Sequence, residues 1–201
     1  MKRLVVATRN KGKILEIDAL LAGLVDDVSS AADYADFPET VEDGATFEAN
    51  ALKKAREAAE FTGLPALADD SGLVVESLGG RPGVFSARFA GDGAGDAANN
   101  SLLLDECRHV PDGQRQAAFV CVLAFVTPEG GEKLFTGRVA GRILSAARGE
   151  GGFGYDPLFM VDGFERSMAE LTLPEKNSVS HRAQAFMKFR EYLENEVIKG
   201  T

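Results

Sequence analysis

The stretch LPALADDSGLVVESLGG, Leu64 to Gly80, sets two apolar runs on either side of Asp69, Asp70 and Ser71. "LPALA" and "LVVES" have the short apolar character of strands, and Gly79-Gly80 closes the unit with a turn. Two neighbouring carboxylates there cost solvation and repel each other. Two readings are open. Asp-Ser-Gly is ordinary turn chemistry. Carboxylates at a strand end, followed by a Ser-Gly turn, are also a way to present hard oxygen ligands to Mg²⁺, whose charge stabilises both ionised acids. On an extended chain adjacent side chains point to opposite faces. One aspartate then faces the chemistry and the other supports it, unless the turn swings both inward.

Outward from this stretch, strands and helices are mixed. Upstream, residues 43–63 form a helix with Phe47, Ala51, Ala55 and Ala58 on one face and Gly63 as its stop. "RLVVAT" (3–8) is a short buried strand, and from Asn10 onward Ile14, Ile17, Leu20, Leu21 and Leu24 recur at helical spacing. Residues 25–44 are acidic and irregular, a loop with room for a short strand. Downstream, a helix over about 96–107 starts at Asp96 as its cap, and residues 115–141 are two strands around "PEGG". A last helix is expected from Ser178 to Val197, with Phe186, Phe189, Leu193 and Val197 on its buried stripe. No repeat or linker is visible. The expectation is an α/β fold, a mixed central sheet flanked by helices, in one domain spanning 1–201.

Composition narrows the function. At 201 residues, 45% hydrophobic and 26% charged, the chain can bury a core. Its net charge of −9 argues against a nucleic-acid polymer as partner. A small anion is compatible with it, because a few local cations override the global field. No apolar run is long enough for a membrane span, and the N-terminus lacks the pattern of a signal peptide, so a cytosolic protein is expected. The two cysteines, Cys107 and Cys121, and two histidines, His109 and His181, form neither a disulfide framework nor a zinc-site spacing.

Three more polar clusters carry candidate chemistry. "TRNKGK" (8–13) lies where the first strand turns into a helix, and a helix N-terminus suits a phosphate. Thr8, Asn10 and Lys13 add a hydroxyl, an amide and an ammonium, yet an ordinary capped helix explains them too, and no P-loop glycines precede Gly12-Lys13. Glu42 precedes the second helix, on which Asn50 and Lys54 lie one turn apart; a solvated face accounts for these equally well. In "GEGGFGYDP" (149–157) the formal G-x-G-x-x-G of 149–154 is followed by "YDPLFM" rather than an amphipathic helix, so Phe153 and Tyr155 among glycines look more like a flexible platform for a flat base. In "EKNSVSHR" (175–182), His181 and Arg182 fall in the first turn of the last helix, where cations oppose the dipole and hint at an anionic or carbonyl partner.

Together these segments resemble one family. T-x-N-x-x-K, E-x-G-x-T-F-x-x-N-A-x-x-K-A, A-D-D-S-G-L, G-G-x-P-G-x-x-S-A-R, G-G-F-G-Y-D-P-x-F and E-K-x-x-x-S-H-R stand in that order from Thr8 to Arg182. The chain looks like the Ham1-type inosine triphosphate pyrophosphatases, also called XTP/dITP pyrophosphatases. The resemblance implies the Ham1 fold, a homodimer and Mg²⁺-dependent hydrolysis of ITP, dITP and XTP to monophosphate and pyrophosphate. It implies that Thr8, Arg9, Asn10, Lys11, Gly12 and Lys13 hold the triphosphate and that Lys54 contacts phosphate. Glu42 and Asp70 would handle Mg²⁺ with Asp69 supporting the metal site, and Asp70 would accept the proton of the attacking water. Ser71, Phe153, Gly154, Tyr155, Asp156, Lys176, His181 and Arg182 would line the substrate site. A nucleotide-binding regulatory module is the main competing class; it needs phosphate donors but no candidate base.

Overall fold

Residues Ala66–Val75 form one unbroken ten-residue strand, β3, which passes through Asp69, Asp70 and Ser71 without a turn. The two strand-like runs expected on either side of the acidic pair are therefore the halves of one element. An interruption is unnecessary because both aspartates find cations where they stand, as described below. In the computed structural model, which describes residues 1–199 and side chains through Asn195, β3 is one of six strands. The others are β1 (Arg3–Val6), β2 (Asp27–Ser30), β4 (Gln116–Val126), β5 (Glu132–Ile143) and β6 (Phe159–Val161). Five helices accompany them: α1 (Lys11–Leu21), α2 (Phe47–Thr62), α3 (Asp96–Glu106), α4 (Leu173–Val179) and α5 (His181–Lys199).

The sheet order is β2-β1-β3-β4-β5-β6. β2 and β3 both run parallel to β1, while β6 is antiparallel to β5, so the sheet is mixed, as the mixture of strands and helices suggested. None of the described helices is long and apolar enough to cross a membrane.

The chain folds into two compact units made of interleaved segments. The first comprises Met1–Asp70, Cys121–Gly137 and the chain from Arg182; the second comprises Ser71–Val120 and Arg138–His181. In the first unit the strands bury both faces. Leu4, Val6, Leu67, Leu123 and Phe125 pack with Ile17 and Leu21 of α1 and with Phe186, Phe189 and Leu193 of α5. The opposite face presents Val5, Ala66, Ala68, Val122 and Ala124 to Ala51, Ala55, Ala58 and Ala59 of α2, small side chains that let helix and sheet approach closely. The Val197 side chain, expected on the α5 stripe, lies outside the described ones. The second unit has its own core, including Leu73, Leu103, Phe119, Tyr155, Leu158 and Phe159.

Three helix boundaries differ from expectation, each for a local reason. α2 starts at Phe47 rather than near 43, because Thr46 caps it by accepting the Ala49 N–H. Asp96 is the first residue of α3 rather than its cap, which is Gly95, and its carboxylate is engaged elsewhere. The last helix is two helices: the extended backbone of Ser180 separates α4 from α5, and Ser178 lies inside α4 with its hydroxyl donating to the Glu175 carbonyl.

Candidate active site

β1 has β2 on one side and β3 on the other, and all three run the same way. Ligands of open parallel sheets bind beyond the carboxyl ends of the strands where the order reverses. Here that place is the exit of β1, where Thr8 to Lys13 lead into α1, beside β3, whose Leu67 is registered with Val6. Asp69 and Asp70 follow two and three residues later.

Strand alternation gives the two aspartates different neighbours. Asp69 shares its parity with Leu67 and so faces the α1 and α5 layer, whereas Asp70 shares it with Ala66 and Ala68 and faces α2. Lys13 of α1 forms an ion pair with Asp69 Oδ1. The Arg182 guanidinium of α5 donates to Asp69 Oδ2 at 3.3 and 3.2 Å and also pairs with Glu16. Cys121 Sγ donates to the same Oδ2 at 3.4 Å. Burial pushes the Asp69 carboxyl up, but Lys13, Arg182 and Lys54 outweigh it and hold the group well below the usual carboxylate range. Next to that carboxylate, burial and the Asp69 charge push the Cys121 thiol far up, so it stays a neutral donor.

Asp70 has the opposite electrostatics. Its Oδ1 accepts from Lys54 Nζ at 3.0 Å and its Oδ2 from Asn50 Nδ2 at 3.3 Å, both on α2. Burial raises its carboxyl, Lys54 lowers it and Glu42 raises it again, for a net upward shift. Lys54 Nζ also donates to Glu42 Oε1 at 2.7 Å and to the Asp69 carbonyl at 2.8 Å. One ammonium thus gathers three oxygens. Asn50, fully buried, accepts the Gly44 N–H at 2.8 Å on its Oδ1, tying the loop that carries Glu42 to the residue holding Asp70. A Cβ at residue 44 would lie 2.5 Å from that Oδ1, which explains the glycine.

The oxygens that meet at Lys54 are the hard donors that suit Mg²⁺, and two carboxylates are as many as such a site usually takes from protein, substrate phosphates and waters supplying the rest. Among the described residues no group of three or more His, Cys, Asp or Glu side chains forms a metal-binding set. The paired oxygens of Glu42 and Asp70 are of the donor type that fits a phosphate-bound Mg²⁺.

The other expected phosphate residues are spread along the β1–α1 turn. Asn10 caps α1 by accepting the Lys13 N–H at 3.1 Å, and Thr8 Oγ1 accepts the Asn10 N–H at 3.2 Å. Arg9 donates to the Phe37 carbonyl at 2.6 Å, and Lys11 and Gly12 open the helix.

The second unit holds the remaining expected residues. Lys176 of α4 is buried and donates to Asp156 Oδ2 at 2.5 Å, and its Nζ lies 4.7 Å from the centre of the Phe153 ring. The Phe153 N–H donates to the same Oδ2 at 2.9 Å. Gly152 has φ +72°, and a Cβ there would come within 2.2 Å of that oxygen, so only glycine lets the loop wrap this carboxylate. Tyr155 donates its hydroxyl to the Ser86 carbonyl at 2.8 Å, and the His181 ring stacks on Phe119 at 4.9 Å. Ser71 continues β3, half-buried.

The sequence profile of the Ham1 family matches residues 4–192. The chain belongs to the Ham1 family. The dITP/XTP pyrophosphatase of Geobacter sulfurreducens is 56% identical over 193 residues, covering 96% of this chain and 97% of that protein. The protein of that name from Desulforamulus reducens is 50% identical, covering 95% of each. Among solved structures, a HAM1 protein from Coxiella burnetii has a TM-score of 0.87 at 40% identity, covering 97% of this chain and 100% of that one. For the Ham1 fold, the contacts above divide the motif residues by structural duty. Glu16 and Cys121 join the polar contacts although the sequence alone does not place them there. Glu16 carries a usable signal: it lies one turn after Lys13, on the face that buries Ile17.

Proposed function

We propose that this chain hydrolyses the non-standard purine nucleoside triphosphates ITP, dITP and XTP to the nucleoside monophosphate and pyrophosphate, clearing deaminated purines from the nucleotide pool. One observation carries the chemistry: adjacent carboxylates of β3, one locked as an anion among Lys13, Arg182 and Cys121, the other raised by burial beside Lys54 and Glu42. A module that only binds nucleotide needs the cations but no candidate base. The relatives' activity, as their names give it, supplies the substrate class.

Lys13, Lys54 and the N–H groups at the start of α1 bind the triphosphate and neutralise its charge, which is most of what phosphoryl displacement requires. Glu42 and Asp70 hold Mg²⁺, which, when bound, neutralises charge on the phosphate oxygens. Asp70 accepts the proton of the attacking water. Asp69 stays ionised and supports this site by fixing Lys13 and Arg182. Phe153 stacks the base, and Lys176 and His181 supply donors to its carbonyl edge. Adenine, which carries an amino group there, leaves such donors unpaired. Action in the cytosol, as a homodimer using the whole chain as one domain, belongs to the same proposal.

The test is a nucleotide panel with pyrophosphate as readout, with and without Mg²⁺. ITP and XTP should release pyrophosphate much faster than ATP or GTP, and only with the metal. Release of single phosphate, or equal use of ATP, would overturn the assignment.

A further inference from the structure

The loop that carries Phe153 is held from outside the motifs. Gly154 N–H donates to Asp96 Oδ2 at 2.7 Å, and the Gly154 carbonyl accepts from Asn100 Nδ2 at 3.0 Å. Asp96 and Asn100 lie one turn apart on α3, so one helix face grips both polar groups of a single residue. From the other side, Phe153 N–H is taken by Asp156, which Lys176 also holds. Consecutive N–H groups, those of Phe153 and Gly154, thus end on two different carboxylates. That arrangement fixes the peptide plane from which the Phe153 side chain departs. α3 is anchored in turn: Leu103 is buried in the core of this unit, and Asn99 ties the helix back through the Ala90 N–H at 2.8 Å and the Ala87 carbonyl at 3.1 Å. The same carboxylate explains why Asp96 does not cap its own helix: it is committed to Gly154.

We propose that Asp96 and Asn100 are positioning residues for base choice: by clamping Gly154 they set the height and tilt of the Phe153 ring against the purine. The inference rests on the reading of Phe153 as a stacking platform. XTP carries a 2-oxo group of similar size, so guanine is rejected by a donor where the site meets an acceptor rather than by bulk, and that mismatch is enforced only where the ring fixes the position of the base. Within the loop the Phe153 N–H is held by Asp156, and α3 supplies a second, rigid anchor at Gly154. Neither residue touches substrate phosphate or Mg²⁺ in this scheme, so the effect belongs in KM and in the choice of base rather than in kcat.

The experiment compares Asp96→Ala, Asn100→Ala and Asp96→Asn with the unaltered chain on ITP and GTP. Asparagine keeps an oxygen acceptor for the Gly154 N–H but removes the charge at the start of α3, so it separates the hydrogen bond from the helix-end effect. The two alanine variants should raise KM for ITP by about three- to tenfold, the range of one hydrogen bond. Their kcat should stay within about twofold, their ITP-to-GTP ratio of kcat/KM should shrink, and Asp96→Asn should restore most of the loss. A second readout needs no turnover. The chain has no tryptophan, so Phe153→Trp places a single fluorophore on the platform. Adding Asp96→Ala should make that tryptophan markedly more quenchable by acrylamide. Equal losses on both nucleotides through kcat, unchanged selectivity, or an Asp96→Asn variant as damaged as the alanine one would overturn the proposal. If the unaltered chain itself shows no preference for ITP over GTP, the functional reading falls first, and the quenching comparison then decides on its own whether α3 holds the loop.

Discussion

Asp69 and Asp70 are the same residue type, adjacent in sequence, both buried, and on one strand, yet their carboxyls are driven in opposite directions. The pleat, together with Glu42 beside Asp70, makes the difference. It turns Asp69 toward α1 and α5, where Lys13 and Arg182 wait, and Asp70 toward α2, where one lysine is shared with Glu42. Burial raises both groups; the cations each one meets decide the net result. A strand can therefore place two carboxyls with opposite shifts side by side, provided that opposite layers carry unequal charge.

The sharpest way to break this comparison is to neutralise each member separately. Asp70→Asn should lower pyrophosphate release from ITP by about 10²- to 10⁴-fold, the usual contribution of a general base. Its melting temperature should fall less than that of Asp69→Asn, because Lys54 keeps Glu42 and the Asp69 carbonyl as partners. Asp69→Asn should do the reverse in stability, leaving Lys13 and the Arg182–Glu16 pair with a buried charge unbalanced. Breaking such a pair costs about 3–5 kcal/mol, which at roughly 2–4 °C per kcal/mol is a large drop in Tm. Thermal melts beside turnover assays decide it. If Asp69→Asn melts like the unaltered chain, or Asp70→Asn turns over normally, the division of labour drawn from the pleat is wrong.

A smaller effect probes how the α2 face is held. Gly44→Ala would drive a methyl into Asn50 Oδ1, and into the Asn50 backbone nitrogen at 3.1 Å, so the loop bearing Glu42 has to shift. Overpacking of this kind costs about 1–3 kcal/mol, and the displaced Asn50 also releases Asp70 Oδ2. The expected signature is a modest loss of Tm together with a raised Mg²⁺ requirement for turnover. A stability loss with an unchanged Mg²⁺ titration would separate Gly44 from the carboxylate site.

Much of this is legible in the sequence, and the misses have physical causes. The period of Ile14, Ile17 and Leu21 and the alanine stripe of α2 reveal their helices, because one-sided burial imprints itself on spacing. The acidic pair stands out in the sequence but its backbone does not: Asp-Ser-Gly is favoured in turns only when its polar groups lack partners, and Lys13, Arg182 and Lys54, distant in sequence, supply them. Asn50 reads equally well as part of a solvated face, because helical spacing cannot distinguish a surface amide from one buried against a strand. Asp96 reads as a cap, since its partner Gly154 is a contact across 58 positions of sequence that no local rule anticipates.

The mildest test takes the same logic to an exposed carboxylate. Glu175 accepts from Arg166 at 2.7 Å and from the Thr172 N–H at 2.8 Å, as the third position of the α4 capping box. The Arg166 bond first, then the Thr172 N–H, pull its carboxyl down to about 2 from an ordinary 4.5. A depressed folded-state value means that its stabilising share is fully present above about 4.5 and is lost as pH falls toward about 2. Glu175→Gln keeps an acceptor for the cap but not the charge. Its Tm at pH 7 should lie a few degrees below that of the unaltered chain at most, since solvent screens an exposed pair. The gap should narrow on acidification to pH 3, where part of the unaltered glutamate's advantage has been titrated away. A gap that held constant or widened toward acid would mean that the carboxylate's charge contributes nothing here, and that a cation at an exposed cap does not do for Glu175 what Lys13 and Arg182 do for Asp69.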